Sequence, residues 1–147
     1  MRYPPVRTSE VLTTIGKTLN NLVIRVLACA VDNKTGLPAD STGVKVGSNR
    51  FKFSRDFTKK LILRASVTSI PSDAVVHIEA YNYTKASVID YIEFAGATGE
   101  GEKEITDLSG VDDGDVIGIR ANVVTASATS GAVFDLAYAS LMIDYGV

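Results

Sequence analysis

The chain has no tryptophan, one cysteine and one histidine in 147 residues. Cys29, being alone, can form no intrachain disulfide, which excludes a small secreted scaffold held by cross-links. Its flanks, Val26, Leu27, Ala28, Ala30 and Val31, mark it as a small buried side chain. One cysteine and one histidine cannot furnish the nitrogen and sulfur ligands of a zinc site within a chain. No run approaches the roughly 20 apolar residues of a membrane-crossing helix, so no membrane insertion is expected. Charge of one sign is missing too: 15 basic and 17 acidic residues leave a formal −2, neither a polycation for nucleic acid nor a strongly acidic surface. Met1 to Glu10 carries Arg2, Pro4, Pro5, Arg7 and Glu10 with no apolar centre, unlike a secretory signal, and synthesis in the cytoplasm is expected.

What is abundant is β pattern. A hydrophobic content of 46% suffices for one compact domain. Leu22 to Val31 is nearly continuously aliphatic and reads as a strand; Asp32 to Thr42, rich in Gly, Pro, Asn, Asp and Ser, reads as an exposed loop. Val44 to Val46 and Phe51 to Phe53 read as two short strands about a hairpin turn at Gly47 to Asn49. Leu61 to Thr68 alternates until Pro71-Ser72-Asp73 breaks it. Val75 to Tyr83 and Ser87 to Phe94 flank Thr84-Lys85-Ala86, Glu102 to Asp107 reads as a short strand, and Leu108 to Gly114 as an acidic turn. Asp115 to Ala126 and Ala132 to Tyr145 read as a long closing hairpin. Phe134, Leu136 and Tyr138 take one parity and Leu141, Ile143 and Tyr145 the other, which predicts a bulge near Ala139 and Ser140.

Eight or nine strands at this spacing predict an all-β antiparallel sandwich or barrel. Over Thr8 to Leu19, Ser9 could cap a helix bearing Val11, Leu12, Ile15 and Leu19, but Thr13, Thr14, Gly16 and Thr18 oppose it. Residues 1–19 are expected to be an N-terminal arm, extended at Pro4-Pro5, that reaches a neighbouring subunit, and residues 20–147 a single β-sandwich domain.

Candidate chemistry is sparse. His77 shares a strand face with Val75, Glu79 and Tyr81; a catalytic His-Glu pair would need a nucleophile motif, and the plain reading is a solvated strand face. Asp107, Asp112, Asp113 and Asp115 offer hard oxygens for calcium, yet they lack the EF-hand pattern and also suit ordinary turn chemistry. Arg50, Lys52, Arg55, Lys59, Lys60 and Arg64 interleave with Phe51, Phe53 and Phe57, a pattern that would allow a local nucleic-acid contact over residues 50–64; the alternative is phenylalanines in the core and bases on the wet face. Asn33-Lys34-Thr35 and Asn82-Tyr83-Thr84 match the glycosylation sequon. No phosphate loop, paired-carboxylate motif or nucleophile elbow can be placed. The expectation is a non-enzyme with no catalytic, cofactor or metal residues.

The segment GDVIGIRANVVTASATSGAVFDLAYASLMIDYGV, Gly114 to Val147, resembles the closing strands of virion proteins built on a jelly-roll or C1q/TNF-like sandwich. There a glycine-aspartate turn leads a long strand, a small polar turn follows, and an aliphatic strand ends the domain. The resemblance implies a jelly-roll-like fold and a structural subunit of a virion, in a capsid, vertex, turret or fibre, made in the host cytoplasm. It further implies homo-oligomeric assembly with other virion proteins as partners, and no catalytic residues to transfer. The competing expectation is a carbohydrate-binding or adhesin-type module on the same sandwich, for which Tyr81, Tyr83 and Tyr91 would supply the rings.

Overall fold

The computed structural model describes residues 24–145. The expected arm at 1–19, including the Thr8 to Leu19 helix question, lies outside the described residues. Those described hold nine strands and no helix: β1 (Ile24–Val31), β2 (Lys34–Pro38), β3 (Gly43–Lys52), β4 (Thr58–Ser69), β5 (Val75–Asn82), β6 (Ser87–Ala95), β7 (Gly99–Ile105), β8 (Val116–Thr125) and β9 (Val133–Tyr145).

All pairings are antiparallel and fall into two sheets, β1-β9-β4-β7, with β2 also on β9, and β3-β8-β5-β6. β1 and β2 both run along β9 and act as one bent strand. From β2 onward every connection crosses between sheets except β5 to β6, which turn at Tyr83 to Ala86 within one sheet. A five-stranded layer, in which β1 and β2 share one position, and a four-stranded layer joined in this way form the jelly-roll kind of β-sandwich.

Alternation builds the core. Leu61, Leu63, Ala65 and Val67 of β4 face Val76, Ile78 and Ala80 of β5 and Ile117, Ile119, Ala121 and Val123 of β8, all buried. In β9 the inward set changes parity, from Phe134 and Leu136 to Ala139 and Leu141. Tyr138 pairs with Ser66 and Leu136 with Val67, so Ala137 is the extra residue. The expected bulge therefore exists, two residues ahead of Ala139.

Three sequence expectations need correction. Asp32 to Thr42 is not wholly a loop, because Lys34–Pro38 pairs with β9, and the Gly36 amide donates to Asp135 Oδ1 at 2.7 Å. Gly47 to Asn49 is no hairpin turn. It is a bulge inside one continuous β3, in which Ser48 Oγ accepts the Ile119 amide at 2.8 Å and Asn49 Oδ1 accepts the Ala30 amide at 3.2 Å. Ser48 Oγ replaces a carbonyl that the bulge withdraws from β8, while Asn49 reaches across to β1 of the other sheet. The last two strands are not a hairpin either: β8 pairs with β3 and β5 while β9 pairs with β1, β2 and β4. The loop between them is stitched instead to Ala39, which accepts the Ser127 amide and donates to Ala132, both at 2.8 Å, and to Asp40 and Asp73.

Gly96 sits at φ 63°, and a Cβ there would collide with the backbone of Ser72, whereas Gly36, at φ 66°, faces open space. Gly96→Ala should cost about 2 kcal/mol or more in urea unfolding and Gly36→Ala roughly 1. Leu63→Ala should cost about 2–5 kcal/mol by the same measurement.

Candidate functional site

The outer face of the β3-β8-β5-β6 sheet is set out by its registers. One row across the strands reads Arg50, Gly118, Tyr81, Val88; the next reads Gly47, Arg120, Glu79, Tyr91; the third reads Val44, Asn122, His77, Glu93. Tyr83 follows β5, its amide donating to the Val116 carbonyl at 2.8 Å. A Cβ on Gly118 would lie 3.0 Å from the Tyr83 ring, and one on Gly47 3.5 Å from its hydroxyl. The two glycines thus leave a floor on which the ring can lie across β8 toward β3.

Guanidinium groups stack on both tyrosines. Arg50 Cζ is 3.6 Å from the Tyr83 ring centre and Arg120 Cζ is 3.6 Å from that of Tyr81, while the two rings meet edge to face at 4.9 Å. Each such contact stabilises by about 1 kcal/mol and, more importantly, orients a planar cation. Glu79 is only 1% exposed although it points to the outer face. Its carboxylate accepts Arg120 Nε at 3.3 Å and Asn122 Nδ2 at 3.2 Å, which compensates the cost of its burial. His77 pairs with Glu93 at 2.9 Å and stacks on Tyr91 at 4.0 Å, so its partner is the carboxylate across on β6 and not Glu79 on its own strand.

The four acids of the 107–115 region do not converge on one point; only Asp112 and Asp115 share a partner, Lys85. Asp115 accepts Asn82 Nδ2 at 2.7 Å and the Asp112 amide at 2.9 Å, with Lys85 Nζ at 3.6 Å; Asp112 pairs with Lys85 at 2.7 Å. Asp113 accepts the Arg55 amide at 3.1 Å, and Asp107 accepts both the hydroxyl and the amide of Ser109. Among the described residues no three His, Cys, Asp or Glu side chains are placed to hold a metal ion together. The Asn82 bond first, then the Asp112 amide and Lys85, keeps the Asp115 carboxyl below its ordinary range, and those same acids raise Lys85.

The basic stretch is dispersed. Arg50 lies on one sheet face; Arg55 clamps the carbonyl of Val111 at 2.5 Å; Lys60 and Arg64 lie on the outer face of the other sheet, bonded to Glu104 at 2.9 Å and Glu102 at 3.0 Å. Phe53 is buried and Phe57 exposed. Residues 50–64 therefore present no single basic surface. Of the two sequons, Asn33 is exposed, whereas Asn82 is buried with its amide spent on Asp115.

The arginine-on-tyrosine pairs, the buried Glu79 and the Asn82–Asp115 bond were not read from the sequence. The available signal was parity: Tyr81 near the end of one strand with Tyr83 just past it, and Arg120 and Asn122 on another, at alternate positions. In class the domain is an antiparallel β-sandwich of jelly-roll connectivity with a polar aromatic outer face. The chain matches no protein-family model and no curated protein sequence.

Asp73, Glu104, Asp107 and Asp115 are all held below their ordinary carboxylate values by hydrogen bonds made in the folded state. Their contribution is complete above the unfolded values, near pH 4, and is lost as pH falls through the lower folded ones. Thermal melting should therefore be level from about pH 5 to about pH 8 and fall steeply below about pH 4. Asp115→Asn should lower the melting temperature at neutral pH and flatten that acid limb.

Proposed function

We propose that the protein is a non-enzymatic structural subunit of a virion, a capsid, vertex, turret or fibre component, acting through symmetric self-association. The observation that carries the proposal is the character of the strand edges in a jelly-roll sandwich. β7 has Glu100, Glu102, Lys103 and Glu104 along its length; β3 has Lys45, Arg50 and Lys52 and two bulges; β6 has Asp90 and Glu93 and one bulge. Charges and bulges of this kind prevent pairing with another chain. β1 differs. It carries one bulge, between Leu27 and Cys29, but pairs only with β9 among the described residues, and its sole charge, Arg25, lies 3.7 Å from Asp144.

Asn49 covers the Ala30 amide at the far end of β1, but Val26 and Leu27 are 46% and 57% exposed. Ile24 pairs with Tyr145, and Tyr145 with Thr58, which brings in the neighbouring Phe57 at 64% exposed. An apolar strip along a sheet edge suits a second copy of the same chain, because each copy can bury its strip against the next around a closed symmetric ring.

A carbohydrate-binding or adhesin-type module is the second reading, favoured by the gathering of Tyr81, Tyr83 and Tyr91 on one sheet face.

Light scattering of the purified protein should give a closed oligomer, such as a trimer or pentamer. The double variant Val26→Asp, Leu27→Asp should shift it to monomer while leaving the circular-dichroism spectrum of the folded domain unchanged. A strictly monomeric wild-type protein at high concentration would remove the basis for the structural reading.

A further inference from the structure

We infer that the outer face of the β3-β8-β5-β6 sheet binds an acidic saccharide, its carboxylate or sulfate held by Arg50 and Arg120 beside the paired rings of Tyr81 and Tyr83. The inference rests on the carbohydrate-binding reading and is independent of whether the chain self-associates.

The charge balance of the face comes first. Its two guanidinium groups are Arg50 and Arg120, and the buried carboxylate of Glu79 compensates only Arg120. Arg50 has no acid partner and no hydrogen bond among the described residues, although a guanidinium offers five donors. Arg120 uses Nε on Glu79, and its terminal nitrogens make no other hydrogen bond among the described residues. Arg50 therefore has no acid within salt-bridge reach among the described residues, although Glu93 lies on the same face, and two donor forks face outward. The fork geometry matches a planar or tetrahedral oxyanion.

Pre-organisation comes second. A surface arginine ordinarily loses much rotamer freedom when it captures an anion. Here each guanidinium already lies 3.6 Å over a ring, the rings brace one another at 4.9 Å, and Tyr83 rests on the floor left by Gly47 and Gly118. Stacking fixes the plane of the cation and leaves its donor edge available.

The surroundings then select among anions. Glu93, half-exposed on the same face, and the buried Glu79 repel a polyanion such as nucleic acid, and the whole chain is at −2. A ligand with one charge per recognition unit suits one cation with no acid within salt-bridge reach. Tyr91, 43% exposed and stacked on His77, and the amide of Asn122 offer an apolar plane and a hydrogen-bonding group next to it. That pairing of flat ring and polar group is what a hydroxyl-rich, flat-faced sugar uses.

The test is calorimetric titration of the full chain with sialyllactose, sulfated lactose, neutral lactose and inorganic sulfate. At least one acidic sugar should bind about tenfold or more tighter than lactose, and Arg50→Ala should remove about that factor. Arg50→Lys, which keeps the charge without the fork, should fall between, and Lys59→Ala, a charge removed at an exposed position away from the two stacks, should change nothing. Melting curves of the variants would verify folding. Lactose binding as tightly as the acidic sugars would overturn the inference and leave the carbohydrate-binding reading in place. Inorganic sulfate matching sulfated lactose would overturn the saccharide assignment, and the absence of binding to any sugar would overturn both. Unchanged binding by folded Arg50→Ala would move the site elsewhere and overturn the inference.

Discussion

β9 is hydrogen-bonded along both edges, to β4 on one side and to β1 and β2 on the other, and the sandwich depends on that double pairing. A strand of 13 residues in this position must keep its apolar side chains inward while its two neighbours differ in length and course. The single extra residue at Ala137 reconciles these demands, since Phe134 and Leu136 before it and Ala139 and Leu141 after it all reach the same core. Without the bulge, half the strand would turn its hydrophobic set to solvent. The bulge also divides the strand where its outer partner changes, from β2 below to β1 above.

Around this centre the acids are buried in a consistent way. Glu79 on one outer face, Asp144 on the other and Asp115 at a loop each lie below a tenth exposed, and each meets a cation: Arg120, Arg25 with Lys60, and Lys85. A buried charge left alone is costly, so each acid specifies a partner from a distant strand or turn. Specificity of this type complements the aliphatic core, which would tolerate many similar packings.

The sequence made the fold class legible because period-two alternation is local: β5, β6 and β8 lie within a residue or two of where their patterns place them, and β4 begins three residues ahead of its pattern. It failed where long-range pairing decided the outcome. Lys34–Pro38 has turn composition but extends because Asp135 and the edge of β9 supply its partners. Gly47-Ser48-Asn49 has hairpin chemistry but remains in one strand because Ile119 and Ala30 bond to its side chains. The closing strands look like neighbours because they are adjacent in sequence, and only their partners in other strands place them in separate sheets. At the outer face, parity put Tyr81 and Arg120 outward, but no local pattern predicts that β5 and β8 adjoin in the register that stacks one on the other.

The two outer faces consequently have different capacities. On the β1-β9-β4-β7 face, Arg25, Lys60 and Arg64 alternate with Asp144, Glu104 and Glu102, and the cations are matched by acids across the strands. Such a face is internally satisfied and has little to offer a charged ligand. On the opposite sheet, glycines at 47 and 118 remove side chains from the centre, so tyrosines and guanidinium groups can lie flat and one cation stays unmatched. The apolar strip at Ile24 to Leu27 lies on β1, at the edge of the first sheet.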